Sequence, residues 1–133
     1  MATHAWMSPE WAEAAAPLTD LLPEVPGAGG TVSFAVSGGR RQEAGFSWGY
    51  ENGKAAPGVA GIDASADLAL LVAADDAIEV LRGDVEPSVA FMRGRLKASG
   101  DGQLLLGFLK STTSREFDGW RRAVAALAPE TSA

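Results

Sequence analysis

The stretch Gly83–Gly102, GDVEPSVAFMRGRLKASGDG, decides how this chain is read. Its glycines and its proline fall where neither one continuous helix nor one continuous strand could keep them. Gly83 closes a short helix that opens at Asp75-Asp76 and carries Ile78 and Leu81 on one side, because glycine enters the left-handed region at no steric cost. Glu86-Pro87 starts a second short helix holding Val89, Phe91 and Met92, and Gly94 ends it. Arg95 to Ser99 then reads as a strand with Leu96 inward and Arg95 and Lys97 outward. Asp101 caps a helix running to about Lys110.

Working outward, the period changes to two. Leu68, Leu70 and Val72 make one face of a strand whose other face, with Leu71 and Ala73, is nearly as apolar. That composition predicts a central strand covered on both sides. Val32, Phe34 and Val36 alternate with small polar residues, as do Ala44, Phe46, Trp48 and Tyr50 with Gly45, Ser47 and Gly49. Gly38-Gly39 turns the chain between them. Asn52-Gly53 favours a type I′ hairpin turn, since both residues tolerate positive φ, and a further strand follows through Val59 to Ile62. At the N-terminal side, Ser8-Pro9-Glu10 starts a helix to about Ala16 with Trp11 inward, and Pro17, Pro23 and Pro26 break helical continuity before a Gly27–Gly30 loop. Ser114 caps a last helix with Phe117, Trp120, Val124 and Leu127 in a narrow apolar stripe.

The order Gly83, Pro87, Ala90-Phe91, Gly94-Arg95-Leu96-Lys97, Gly100-Asp101 resembles the central signature of the sterol carrier protein 2 family. Tyr50-Glu51-Asn52-Gly53-Lys54 resembles that family's hairpin turn, and Ala66-Asp67 the start of its inner strand. The likeness covers roughly residues 31–110, while the Trp-containing N-terminal segment (1–30) matches loosely and the C-terminal helix (114–128) is longer than the usual tail. The expected class is α+β: a mostly antiparallel five-stranded sheet covered by helices. The resemblance adds an apolar tunnel between that sheet and the Asp101–Lys110 helix.

Composition bounds the function. At 133 residues one domain is expected. The chain has no cysteine, which excludes disulfides, thiolate metal sites and cysteine nucleophiles. A net charge of −6 argues against nucleic acid and against more than transient contact with an anionic membrane. The opening MATHAWMSPEWAEAAA reads as no secretory signal, and Thr131-Ser132-Ala133 does not match a peroxisomal address. A cytoplasmic location is the expectation.

Catalytic readings find little to work with. His4 is the single histidine, so no histidine-based triad or zinc cluster can be assembled. Asp67, Asp75 and Asp76 could serve a carboxylate-based enzyme, but acids in a first helical turn are explained by the helix dipole. The cluster Arg82, Arg93, Arg95 and Lys97 reads as a solvated face balancing Asp84 and Glu86, or as a contact for a lipid head group; Arg115, Arg121 and Arg122 read the same way.

The resemblance implies non-catalytic binding or carriage of a lipid of the sterol, fatty acid or acyl-CoA type, with no cofactor and no metal. The expected ligand contacts are Phe34, Phe46, Trp48, Leu68, Leu70, Phe91, Met92, Leu104, Leu105, Phe108 and Leu109. Within the Asp101–Lys110 helix, Leu104, Leu105, Phe108 and Leu109 fill an arc of roughly 140°, wider than a surface helix on a closed core needs. Each buried methylene contributes about 0.8 kcal/mol, so a long acyl chain gives on the order of 10 kcal/mol gross. Association and ordering costs reduce that to micromolar affinity with loose selectivity. The alternative is an interaction or accessory module whose apolar helix seats a partner subunit or a homodimer; a homodimer or an enzyme partner is the partner expected besides the lipid.

Overall fold

The computed structural model describes residues 9–37, 44–63 and 65–127. Ser8, His4, the Gly38-Gly39 turn and the last six residues lie outside them. The chain opens with α1 (Pro9–Ala15), which continues directly into a 3₁₀ segment (Ala16–Leu21). Pro17 was expected to end helical structure, yet proline is tolerated in a first helical turn, where its missing N–H costs no bond. Trp11 is fully buried, and its indole N–H donates to the Val124 carbonyl at 3.1 Å, tying the N-terminal helix to the C-terminal one.

The sheet follows. Strands β1 (Gly30–Ser37) and β2 (Ala44–Glu51) pair antiparallel with Val32 opposite Trp48 and Phe34 opposite Phe46. Asn52 (φ 53°) and Gly53 (φ 86°) form the tight turn into β3 (Lys54–Ala55), which pairs back on β2. Strand β4 (Val59–Ala60) extends that edge at Phe46 and Ser47. Strand β5 (Leu68–Ala73) then pairs with the other edge of β1, and β6 (Leu96–Gly100) pairs antiparallel with β5.

The sheet is thus six-stranded and mixed, because β5 runs parallel to β1, with Val32 opposite Leu68 and Phe34 opposite Leu70. Among the described residues four of its five strand pairings are antiparallel, as expected; the departures are a sixth strand and the one parallel pairing, β1 with β5. The cause is the segment Gly61–Asp67, which returns from the β4 edge across the sheet before β5 begins. Two small buried side chains hold it: Ser47 donates to the Gly61 carbonyl at 2.9 Å, and Ser33 accepts from the Asp63 N–H at 3.2 Å. The segment ends in a clasp where the Asp67 carboxylate accepts the Thr31 N–H at 2.9 Å and the Asp67 N–H donates to the Thr31 hydroxyl at 3.2 Å.

Helices α2 (Ala74–Arg82), α3 (Pro87–Met92), α4 (Gly102–Ser111) and α5 (Arg115–Ala125) complete the fold. Gly83 ends α2 in the left-handed region (φ 88°), and a Cβ there would lie 2.7 Å from Arg121 Nη1. Asp101 caps α4 by accepting from the Gln103 and Leu104 N–H groups, and the Ser114 hydroxyl caps α5 through Phe117 N–H. The core gathers on the sheet face of Val32, Phe46, Trp48, Leu68, Leu70 and Val72. Strand β5 is paired on both edges, as a central strand should be, but it is not covered on both faces. Leu68, Leu70 and Val72 are buried while Ala69, Leu71 and Ala73 are exposed, since the returning segment shields the back of β1 and β2 only.

Candidate functional site

Between the sheet and the helices lies a cavity of about 40 Å³ walled by apolar side chains. Its floor is Phe34 from β1, Phe46 and Trp48 from β2, Leu70 and Val72 from β5, and Leu96 from β6. Period-two alternation places them together, since every second residue of a strand faces the same side. Its roof is Ala77, Val80 and Leu81 from α2, Pro87 from α3, Phe108 from α4, and Phe117 and Trp120 from α5. The aromatic rings pack in tilted pairs, three of them a continuous row (Phe34 against Phe46 at 5.3 Å, Phe46 against Trp48 at 5.9 Å, Trp48 against Phe108 at 6.1 Å) and the fourth separate, Phe117 against Trp120 at 5.3 Å.

Three polar atoms in this region are buried without a hydrogen-bond partner: Trp48 Nε1, Trp120 Nε1 and the Tyr50 hydroxyl. Such groups cost about 1–3 kcal/mol each when left unpaired. Burial pushes the Tyr50 hydroxyl up to about 12, and the neighbouring Trp48 indole, close but outside hydrogen-bonding geometry, offsets this only in part.

Five of the residues expected from sequence come together around the cavity: Phe34, Phe46, Trp48, Leu70 and Phe108. Six do not line it. Leu68, Leu104 and Leu109 are buried elsewhere in the core, Phe91 and Leu105 are half-buried against it, and Met92 is 84% exposed. Helix α4 therefore delivers Phe108 alone, and the roof it was expected to form is shared among four helices. The residues sequence reading missed are chiefly Phe117 and Trp120. Their helical stripe was visible, but nothing in it said that the stripe meets the sheet.

Several of the titratable groups make structural contacts. Asp67 holds Thr31. Arg95 lies 3.5 Å from Asp76 and 3.4 Å from Glu79 on an exposed surface, which favours the solvated-face reading of that basic cluster. Asp63 is half-buried, with its carboxyl held below the usual range by the Ser65 hydroxyl and N–H. Among the described residues no three His, Cys, Asp or Glu side chains are grouped to hold a metal ion, and no helix is long and apolar enough to cross a membrane.

A mixed sheet with helices closing an apolar cavity on one face defines an α+β domain built to enclose apolar matter. The chain belongs to the SCP-2 sterol transfer family, which it matches over residues 15–110. Membership implies lipid binding or transfer. No curated protein matches the chain. Solved structures agree on the fold. A conserved hypothetical protein of Thermus thermophilus, described as a candidate sterol carrier protein, is 19% identical with a TM-score of 0.68, each chain covered to 99%. A crystal structure of sterol carrier protein 2 is 18% identical with a TM-score of 0.65, covering 92% of this chain and 98% of that one. A palmitated sterol carrier protein 2-like protein from Aedes aegypti is 17% identical with a TM-score of 0.54, covering 62% of this chain and 71% of that one.

Proposed function

We propose that this protein binds and carries a lipid, without catalysing a reaction, by burying the apolar part between the sheet and helices α2 to α5. The observation that carries the reading is the cavity itself: it is walled only by apolar side chains and sits at the junction of four sheet strands' aromatic and aliphatic rows with four helices. The palmitated form of the Aedes aegypti relative supports an acyl chain as one acceptable cargo. The cavity's volume of about 40 Å³ is that of a closed state. Sites for drug-sized ligands run to roughly 300–1,000 Å³, so binding requires the helices to move off the sheet. The closed state's orphaned indole and phenol groups lower the cost of that opening, because water or a ligand oxygen can then reach them.

The ligand contacts proposed are Phe34, Phe46, Trp48, Leu70 and Phe108, joined by Val72, Leu81, Phe117 and Trp120. The cytoplasm is the compartment proposed, and exposed Leu106 and Met92 are where a second copy or a partner enzyme would make apolar contact. Native mass spectrometry and organic extraction of purified protein test the reading. A bound lipid, or uptake of a hydrophobic fluorescent probe that fatty acid displaces, is the expected result. A folded protein with neither would sink it.

A further inference from the structure

A polar hollow adjoins the apolar cavity through a shared wall. A cleft of about 300 Å³ opens between the α2–α3 corner and the α4–α5 corner, and Val80, Pro87 and Phe117 line both spaces. One face of these side chains thus meets the cavity and the other meets solvent-accessible polar groups. The α4–α5 side of the cleft, from Thr112 to Arg121, lies beyond the residues matched by the family.

We propose that this cleft receives the head group of the bound lipid, and that it selects an uncharged, hydroxyl-bearing head over an anionic one. The proposal rests on the lipid-carrying reading and adds where the polar end lies and what its chemistry is. Phe117, 4% exposed, is the central panel of the wall; rotating it aside joins cavity and cleft.

The charges of the cleft decide the selectivity. Among the described residues one cation lines it, Arg121, and its guanidinium is already engaged: Nε and Nη2 donate to Asp118 at 3.3 and 3.1 Å, and Nη1 donates to the Leu81 carbonyl at 3.3 Å. Two carboxylates, Asp118 and Glu86, face that single arginine, which leaves the cleft one negative charge in excess. The hydroxyls are committed as donors too. Thr112 donates to Leu109, Thr113 to Lys110 and Ser114 to Ser111, so their oxygens offer only lone pairs to a ligand. A head group that donates hydrogen bonds finds acceptors throughout; a carboxylate or phosphate finds repulsion and one arginine whose charge is already matched.

The test compares two 16-carbon probes on the full chain, 1-palmitoylglycerol and palmitate, by displacement of a fluorescent probe at neutral pH. The glycerol ester is expected to bind about tenfold more tightly, the factor one unneutralised charge produces a few ångström away at intermediate dielectric. Glu86→Gln, at an exposed position whose side chain makes no helix cap bond, is expected to bring that ratio down about tenfold, to near one, by removing the excess charge. Palmitate binding as tightly as the ester, or a ratio unmoved by Glu86→Gln, overturns this proposal and leaves lipid carriage intact. Failure of both probes to bind overturns lipid carriage and this proposal together.

Discussion

Ala77→Val asks whether the apolar cavity is functional space or a packing defect. Ala77 is 2% exposed on α2, and its methyl group lines the cavity. At about 24 cal/mol per Å³, a void of about 40 Å³ represents about 1 kcal/mol of unclaimed packing. Two added carbons bury about 1.6 kcal/mol of apolar transfer free energy, against about 0.5 kcal/mol lost to the lower helix propensity of a β-branched residue. The net expectation is a gain of about 1 kcal/mol, or roughly 3–5 °C in Tm for a chain of this length. The same carbons occupy the space through which a lipid must begin to enter, so uptake of a hydrophobic probe should fall. Thermal melting and probe titration on one preparation read both effects. Higher Tm with undiminished uptake would refute the reasoning, because it would mean that lipid enters elsewhere. A loss of stability beyond about 1 kcal/mol would mean that the void does not lie beside this side chain.

Further outcomes follow from other parts of the structure. Tyr50 is the one tyrosine, so its ionisation can be followed by absorbance. Its pKa is raised from 10.0 to about 12, so the stability it contributes is whole below pH 10 and is lost as pH rises through 12; the loss is on the order of 3 kcal/mol. A phenol titrating near 10 in the folded protein would contradict the burial. Phe108→Asp puts a charge into the cavity wall and should abolish probe uptake, whereas Leu105→Arg, off the cavity on the same helix, should leave it largely intact. Equal losses from both would return the roof to α4. Gly83→Ala forces a Cβ into left-handed backbone against Arg121, and denaturant unfolding should show a loss of about 1–2 kcal/mol. An unchanged midpoint would refute that strain.

The parts of this fold that sequence made legible are those set by near neighbours. Asn52-Gly53, Gly83, Asp101 and Ser114 each do their work within a few residues, and each stands where its chemistry predicts. The floor of the cavity was legible for the same reason: alternation alone puts Phe34, Phe46, Trp48 and Leu70 on one face. The direction of β5 was not, because it depends on a seven-residue return without periodicity, held by Ser33 and Ser47, residues that resemble any other small polar residues of a half-buried strand. The roof was hidden too. Whether Leu105 or Trp120 meets the sheet depends on how α4 and α5 cross it, and apolar stripes on both helices satisfy either arrangement.

The most direct test of the account places the lipid itself. A 16-carbon chain labelled with carbon-13, offered as palmitate and as 1-palmitoylglycerol, should show isotope-filtered nuclear Overhauser contacts from its methylenes to the rings of Phe34, Phe46, Phe108 and Phe117. Contacts confined to the exposed Met92 and Leu106, with those four rings silent, would contradict burial between sheet and helices.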